Sequence, residues 1–281
     1  MATVPTTNIR MTDLNNVFGY GNSLSKYYGT TFSSGSAPSS GPISYSTFSG
    51  KSAFNPSSLT APLITWFKGD SGLTAGRWVN NGTNGGSATL TGGSTLTTVN
   101  GLGAVTFTAS TGYGFYTQNY MGQPRAVFWV IKFNADISAT NVTTLAGSLS
   151  NTDSFVQIYT SGGQQTMVLS PFGGTTSIQT DGFSANQTSL PAVFGEFASG
   201  TAANNLAYYN GTSLTMSTTR NAASGYTTGN RTAYLGAFNN GTPKPNSTAI
   251  TWCEVLCYDG ELTSTDVAKV VNYLRLKWGT G

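Results

Sequence analysis

No histidine occurs anywhere in the 281 residues. That absence removes histidine-based catalytic triads, histidine general bases and the commonest zinc sites. Charge is also scarce: Asp, Glu, Lys and Arg together make up 8% of the chain, so neutral Gly, Ser, Thr and Asn must cover most of the surface. Such a surface responds weakly to salt and pH. The net charge of +3 comes from 13 basic residues against 10 acids. The basic residues are scattered singly, which excludes the basic stripe of a nucleic-acid footprint. Long hydrophobic runs are missing as well. The strongest, Ala126 to Ile131, is far too short to span a bilayer, and Met1 to Arg10 is polar and threonine-rich rather than signal-like. The expectation is a protein made in soluble form in the cytosol, with no membrane insertion.

Cysteine is limited to Cys253 and Cys257. Four apart on one predicted strand, they stand roughly 13 Å from each other at ~3.3 Å per residue and cannot bridge within it. They read as two small buried side chains. Stability must therefore come from packing or assembly.

What the chain does have is aromatics, 12% Phe, Trp and Tyr, which argues for folded structure rather than disorder. From Pro62 onward short apolar segments recur between Gly-rich turns: Leu63 to Phe67, Ala104 to Thr108, Ala126 to Phe133, Phe155 to Tyr159, Thr166 to Leu169, Ala192 to Phe197, Leu206 to Tyr209, Ser213 to Met216, Ala233 to Phe238, and Ile250 to Tyr258. Many short strands of this kind predict an all-β jelly-roll sandwich. Tyr209-Asn210-Gly211-Thr212 predicts a tight hairpin, because Asn-Gly favours positive φ. Ala126 to Ile131, apolar on both faces, predicts a central strand covered on both sides. In the final strand Ile250, Trp252, Glu254, Leu256 and Tyr258 alternate with Thr251, Cys253, Val255 and Cys257. A helix follows, capped by Thr263 or Ser264, with Val267, Val270, Val271, Leu274 and Trp278 on one stripe and Gly279 as its stop.

Residues 1–58 differ from the 59–281 sandwich. Three short units recur, around Ile9-Arg10-Met11-Thr12-Asp13-Leu14, Ser23-Leu24-Ser25-Lys26-Tyr27-Tyr28 and Ile43-Ser44-Tyr45-Ser46-Thr47-Phe48, each able to form a capped helical turn. This reads as an extended N-terminal arm whose apolar side chains need a host surface, on its own domain or on another subunit.

Two resemblances attach to these residues. Glu254-Val255-Leu256, Tyr258, Leu262-Thr263, Asp266, Tyr273-Leu274 and Lys277-Trp278-Gly279 resemble the closing strand and helix of the concanavalin A-like lectin/glucanase superfamily, in its LamG-like branch. Trp66, Ala104-Val105-Thr106-Phe107, Tyr208-Tyr209-Asn210-Gly211 and Tyr234-Leu235-Gly236 follow in order, so the resemblance covers about residues 60 to 281. It implies a jelly roll with one C-terminal helix, and a fold does not fix a function. The arm, through Ile9, Met11, Leu14, Phe18, Leu24, Tyr27, Tyr28, Ile43, Tyr45 and Phe48, resembles an N-terminal attachment module of structural proteins of tailed phages and large DNA viruses. It implies docking onto other virion structural proteins of a capsid or tail, with the sandwich displayed and a homo-oligomer among its partners.

Glucanases of that superfamily use closely spaced acids. Here all ten are dispersed: Asp13, Asp70, Asp136, Asp153, Asp181, Glu196, Glu254, Asp259, Glu261 and Asp266. Glu254, lacking a partner acid, reads as structural, and no catalytic residue or enzyme activity is expected. Calcium is common in the superfamily, but Asp70 and Asp153 beside Asn151 sit in no acid-rich loop. No metal and no cofactor are expected. Sugar binding, the superfamily's other habit, needs aromatic platforms with polar neighbours. Tyr113, Tyr116, Gln118, Asn119 and Tyr120 offer one such surface, and Asn239 and Asn240 another. The sequence thus yields a virion structural protein (minor capsid, decoration, spike or tail-fibre component) as the leading expectation, localised to the virion. The alternative is a carbohydrate-binding module for a host surface glycan or a polysaccharide.

Overall fold

The structure is a computed structural model that describes residues 3–20, 23–117, 125–135, 142–148, 155–161, 164–170, 178–180, 190–198, 206–218, 233–239 and 243–280. Its scaffold is a sheet built from β1 (Leu63–Lys68), β2 (Ser94–Val99), β3 (Leu102–Phe107), β4 (Arg125–Phe133), β5 (Ala192–Ala198), β6 (Leu206–Tyr209), β7 (Thr212–Leu214) and β8 (Ile250–Asp259). The strands run in the order β7-β6-β5-β4-β8-β3-β2, with β1 also paired to β8. Among the described residues ten further short strands form the facing sheet. All pairings are antiparallel, and the two sheets close over a core of Trp78, Trp129, Trp252, Phe67, Phe107 and Phe194. The chain is thus an all-β sandwich with one C-terminal helix.

The predicted central strand is β4. Its residues Ala126 to Ile131 are all buried, because odd positions enter the core between the sheets while Ala126, Phe128 and Val130 pack beneath α2 (Ser264–Trp278). The Asn210-Gly211 hairpin joins β6 to β7 with φ of 47° and 87° at the two turn residues, as the dipeptide requires. Thr263 caps α2 by accepting the Asp266 amide at 3.1 Å on its Oγ1. The helix buries Val267, Val270, Val271, Leu274 and Trp278, each worth on the order of 1.5–3 kcal/mol. Gly279, at φ 62°, ends it.

One expectation about β8 fails. Its register against β4 shifts between Val130 and Ile131, a β-bulge that places two successive side chains on one face. Ile250, Trp252, Val255 and Cys257 enter the core between the sheets, whereas Cys253, Leu256 and Tyr258 face α2. Trp252 and Glu254 therefore lie on opposite faces, and so do the two cysteines. Both thiols are free and buried. At the bulge the partner of β8 changes from β3 to β1, and Gly69 and Gly103 meet there. A Cβ on Gly69 would stand 1.9 Å from the Gly103 carbonyl oxygen.

The expected strand Ser213 to Met216 is divided between the two sheets. Thr212–Leu214 pairs with β6, while Met216–Thr218 pairs in the facing sheet.

The arm is a folded unit rather than an extended one. All three predicted units are helical: α1 (Met11–Phe18) and two short 3-10 turns, Leu24–Tyr27 and Tyr45–Phe48. Asp13, rather than a hydroxyl, caps the first by accepting the Arg10 amide at 2.7 Å. Val4, Leu14, Phe18, Tyr27, Phe32, Ala37 and Phe48 form a core of their own. Phe18, Tyr27, Phe32 and Phe48 meet pairwise with ring centroids 5.6–6.1 Å apart, within the range of favourable edge and tilted contacts. From Phe54 the apolar side chains join the α2-facing cluster of the sandwich instead. The host surface is thus supplied by the arm itself and by α2 of the same chain.

Candidate functional site

Among the described residues, Asn272, Phe54 and Tyr258 link the arm to the sandwich. Asn272 of α2 donates to the Gly29 carbonyl and, at 3.2 Å, to Thr31 Oγ1. The Phe54 ring meets Tyr273 edge-on at 6.2 Å. Tyr258 donates its hydroxyl to the Pro56 carbonyl at 3.2 Å. Between these points the two surfaces leave a cleft of about 760 Å3. One wall is the arm, with Phe18, Tyr20, Lys26 and Phe54. The other is the C-terminal end of α2, with Tyr273, Arg275, Lys277 and Thr280, and the floor holds Asp70, Asn100 and Leu102. Tyr20 lies nearly parallel to Phe18 at 6.3 Å. Burial, then the neighbouring Tyr27, holds its hydroxyl well above the usual tyrosine range.

Behind that wall sits Glu254, 0% exposed. Oε1 accepts from Trp66 Nε1 at 2.6 Å and from the Tyr273 hydroxyl at 3.1 Å. Oε2 accepts from Trp278 Nε1 at 2.7 Å and from Lys277 Nζ at 2.8 Å. Each oxygen thus receives two donors, which fills the capacity of a carboxylate. Lys277 also reaches Asp70 at 3.1 Å, linking the buried acid to the cleft surface. Burial, followed by the Glu254 charge, raises the Tyr273 hydroxyl well above its ordinary value. The partners of Glu254 are thus side chains from β1 and α2. A second buried pair, Arg125 to Glu196 at 2.9 Å, lies between the sheets. Burial raises the Glu196 carboxyl, and Arg125 pulls it back down.

The arm residues singled out from sequence divide by burial. Leu14, Phe18, Tyr27 and Phe48 are consumed in the arm's own core, so they present no docking surface in this structure. Ile9, Met11, Leu24 and Ile43 pack against that core part-buried, while Tyr45 is 39% exposed. Tyr28 donates its hydroxyl to the Gly41 carbonyl at 2.5 Å.

Of the expected sugar platform, Tyr116 is fully buried between the sheets. It accepts from Asn80 Nδ2 at 2.6 Å and donates to the Gly85 carbonyl at 2.8 Å, so it packs the core and faces no ligand. Tyr113 is part-buried and meets Tyr234 edge-on at 5.4 Å, beside Phe115. Gln118, Asn119, Tyr120 and Asn240 lie outside the described residues, as does the side chain of Asn239, whose backbone pairs with Pro243. Asp153 and Asn151 lie outside them too. Sequence reasoning missed Tyr20, Lys26, Phe54, Asn100 and Arg275. They come from segments with no common pattern and converge only when the arm docks.

No protein-family model matches the chain, and no curated protein matches it in sequence. Solved structures do match in fold. Domain 4 of AbnA, a GH43 extracellular arabinanase from Geobacillus stearothermophilus, in complex with arabinotriose, is 15% identical with a TM-score of 0.57, covering 75% of this chain and 98% of that domain. The binding domain of botulinum neurotoxin DC in complex with SialylT is 13% identical with a TM-score of 0.56, covering 76% of this chain and 52% of that one. A structure of botulinum neurotoxin type C, whose cell entry depends on two ganglioside molecules, is 15% identical with a TM-score of 0.56, covering 76% and 51%. The chain spans about half the length of these neurotoxin chains. At such identities the likeness establishes the sandwich fold. Among the described residues no helix is long and apolar enough to cross a membrane.

Proposed function

We propose that this chain is a non-catalytic carbohydrate-binding protein that holds a saccharide in the cleft between the arm and α2. The observation that carries the reading is the cleft's composition. Its volume of about 760 Å3 lies in the ~300–1,000 Å3 range of small-ligand sites. It sets the aromatic rings of Tyr20, Phe54 and Tyr273 beside hydrogen-bonding groups on Lys26, Asp70, Arg275 and Lys277. Sugars need both, rings for their C–H faces and polar groups for their hydroxyls. The arabinotriose and SialylT complexes of sandwiches with this fold support the same class of ligand. Binding without hydrolysis is favoured because Glu254, the acid nearest Asp70 through Lys277, has both oxygens filled and stands behind the wall. That leaves Asp70 as the one carboxylate among the residues lining the cleft, where glycosidases use two facing acids.

A glycan array followed by calorimetry on the full chain tests this. Saccharide binding abolished by Tyr20→Ala and Asp70→Ala supports it. Binding abolished instead by Tyr113→Ala would move the site to the sheet face, and release of reducing ends would make the protein a hydrolase.

A second reading concerns the arm. Its own core consumes most of its aromatics, so the attachment role that its resemblance implies, with the sandwich displayed on a virion, would fall to the exposed Tyr45 and the part-buried Ile9, Met11, Leu24 and Ile43. Removal of residues 1–50, which spares Phe54 and Pro56, should then prevent incorporation into particles. Unimpaired incorporation would defeat it.

A further inference from the structure

Hydrogen bonding to sugar hydroxyls uses Lys26 and Arg275 as donors but leaves their charge unexplained. Three of the chain's 13 basic residues line this one cleft, Lys26, Arg275 and Lys277. Lys277 is neutralised by Asp70 and Glu254. Lys26 and Arg275 have no ion-pair partner among the described residues, and both are exposed. Arg275 faces the larger cleft and also a smaller hollow of about 250 Å3, formed on the same arm–helix seam with Tyr28, Ser39 and Thr280.

The end of α2 accounts for part of this. A helix C-terminus carries roughly half a negative charge, which a cation in the last turn offsets. Arg275 and Lys277 both occupy that turn, so one of them suffices. Lys26 is on the arm, in the turn Leu24–Tyr27, and the dipole of α2 does not explain it. In a chain with only 8% charged residues, two cations without an ion-pair partner across one cleft form a local positive field that few fixed anions cancel.

Resting on the reading of the cleft as a saccharide site, we infer that it selects an acidic saccharide, one bearing a carboxylate or sulfate, whose anion is held between Lys26 of the arm and Arg275 of α2. Arg275 supplies the planar fork that pairs with two oxygens, and Lys26 supplies a mobile point charge. Because the cations belong to different modules, the ligand bridges them. Binding and arm docking are therefore linked, and each strengthens the other.

The test is calorimetric titration of the full chain with neutral, uronate-containing and sulfated oligosaccharides of equal length, at low and high salt. The acidic ligands are expected to bind more tightly than the neutral ones, and to weaken as salt rises. Lys26→Ala and Arg275→Ala should each cost roughly tenfold in acidic-ligand affinity, the effect of one charge-assisted contact, and markedly less in neutral-ligand affinity, where only a hydrogen bond to a neutral hydroxyl is lost. An unaltered thermal transition would confirm that the variants fold. A preference for uronate over sulfate, or the reverse, identifies the anion. Equal affinity for neutral and acidic sugars, or acidic binding indifferent to both substitutions, overturns this inference while leaving a saccharide site standing. No binding of any of the three overturns the saccharide reading beneath it.

Discussion

Replacing Glu254 by Gln changes one atom and should be among the most damaging conservative substitutions in the protein. The carboxylate is fully buried and accepts four donors, two on each oxygen. The amide of glutamine keeps one acceptor oxygen and turns the other position into a donor. Two of the four donors then face an N–H, and no water replaces the lost partner at a site that is 0% exposed. Each orphaned donor costs about 1–3 kcal/mol. Lys277 loses half of its neutralisation as well, and breaking a buried pair from one side costs about 3–5 kcal/mol. Taking these as overlapping descriptions of one loss gives about 4 kcal/mol, which is roughly a 10 °C fall in Tm for a domain of this size. Urea unfolding followed by tryptophan emission reads it directly, because Trp66 and Trp278 are themselves two of the donors. A double-mutant cycle with Lys277→Met should show strong coupling, since a single network is being dismantled. A measured loss below about 1 kcal/mol, or additive effects of the two substitutions, would refute the reasoning, as it would mean that water reaches the site.

Alkaline pH should unfold the protein through groups buried in their protonated form. Burial pushes the Cys257 thiol from 9.0 up to about 12, and burial followed by the Glu254 charge raises Tyr258 and Tyr273 well above 10.0. A raised native pKa means stability that is complete below the unfolded value and lost as pH climbs through the native one. Stability should therefore decline from about pH 9 upward, more shallowly in Tyr273→Phe. A flat profile from pH 9 to 11 in a denaturation series would contradict this. Gly69→Ala should abolish folding or cost more than about 3 kcal/mol, because the new methyl would overlap the Gly103 and Cys253 carbonyl oxygens at 1.9 and 2.6 Å; a near-wild-type melting curve would show that the two strands do not meet so closely. Asn272→Ala removes both hydrogen bonds to Gly29 and Thr31 and should expose the arm to limited proteolysis ahead of the sandwich. Simultaneous cleavage of both modules would place the docking energy elsewhere.

The parts of the fold that repeat a period were legible in the sequence. The valine, leucine and tryptophan stripe of α2, the apolar run Ala126 to Ile131 of β4 and the Asn210-Gly211 turn each carry their own signal. Strands without an apolar run were not legible: Ser94–Val99 is half threonine, and Arg77–Val79, Ser87–Leu90 and Gly114–Tyr116 are too short to show alternation. The bulge in β8 was equally hidden. A register shift leaves no trace in one strand's composition, and it is set by the neighbour that changes from β3 to β1. The arm's aromatics were visible one by one, but the core they make was not, because Phe18, Tyr27, Phe32 and Phe48 come from unevenly spaced turns. Tyr116 was misassigned for a related reason. Its place beside Asn80 depends on pairing of its strand with Thr89 and Leu90, and the Gly-rich stretch around it reads as a loop.

Scarcity of charge gives the few charged groups their meaning. A buried ion pair seldom adds net stability, since desolvation consumes most of the attraction, but it penalises every arrangement that leaves one partner alone. The Glu254 network applies that penalty where it matters most for the cleft. It requires β1, through Trp66, and the last turn of α2, through Tyr273, Lys277 and Trp278, to meet the bulge of β8 together. Any slip of the helix along the sheet would strand a buried carboxylate. The helix end is thereby fixed, and so are the Arg275 side chain on it and the Asn272 side chain that receives the arm. The two modules can then present Lys26 and Arg275 at a set separation without either cation having to be held by a partner of its own.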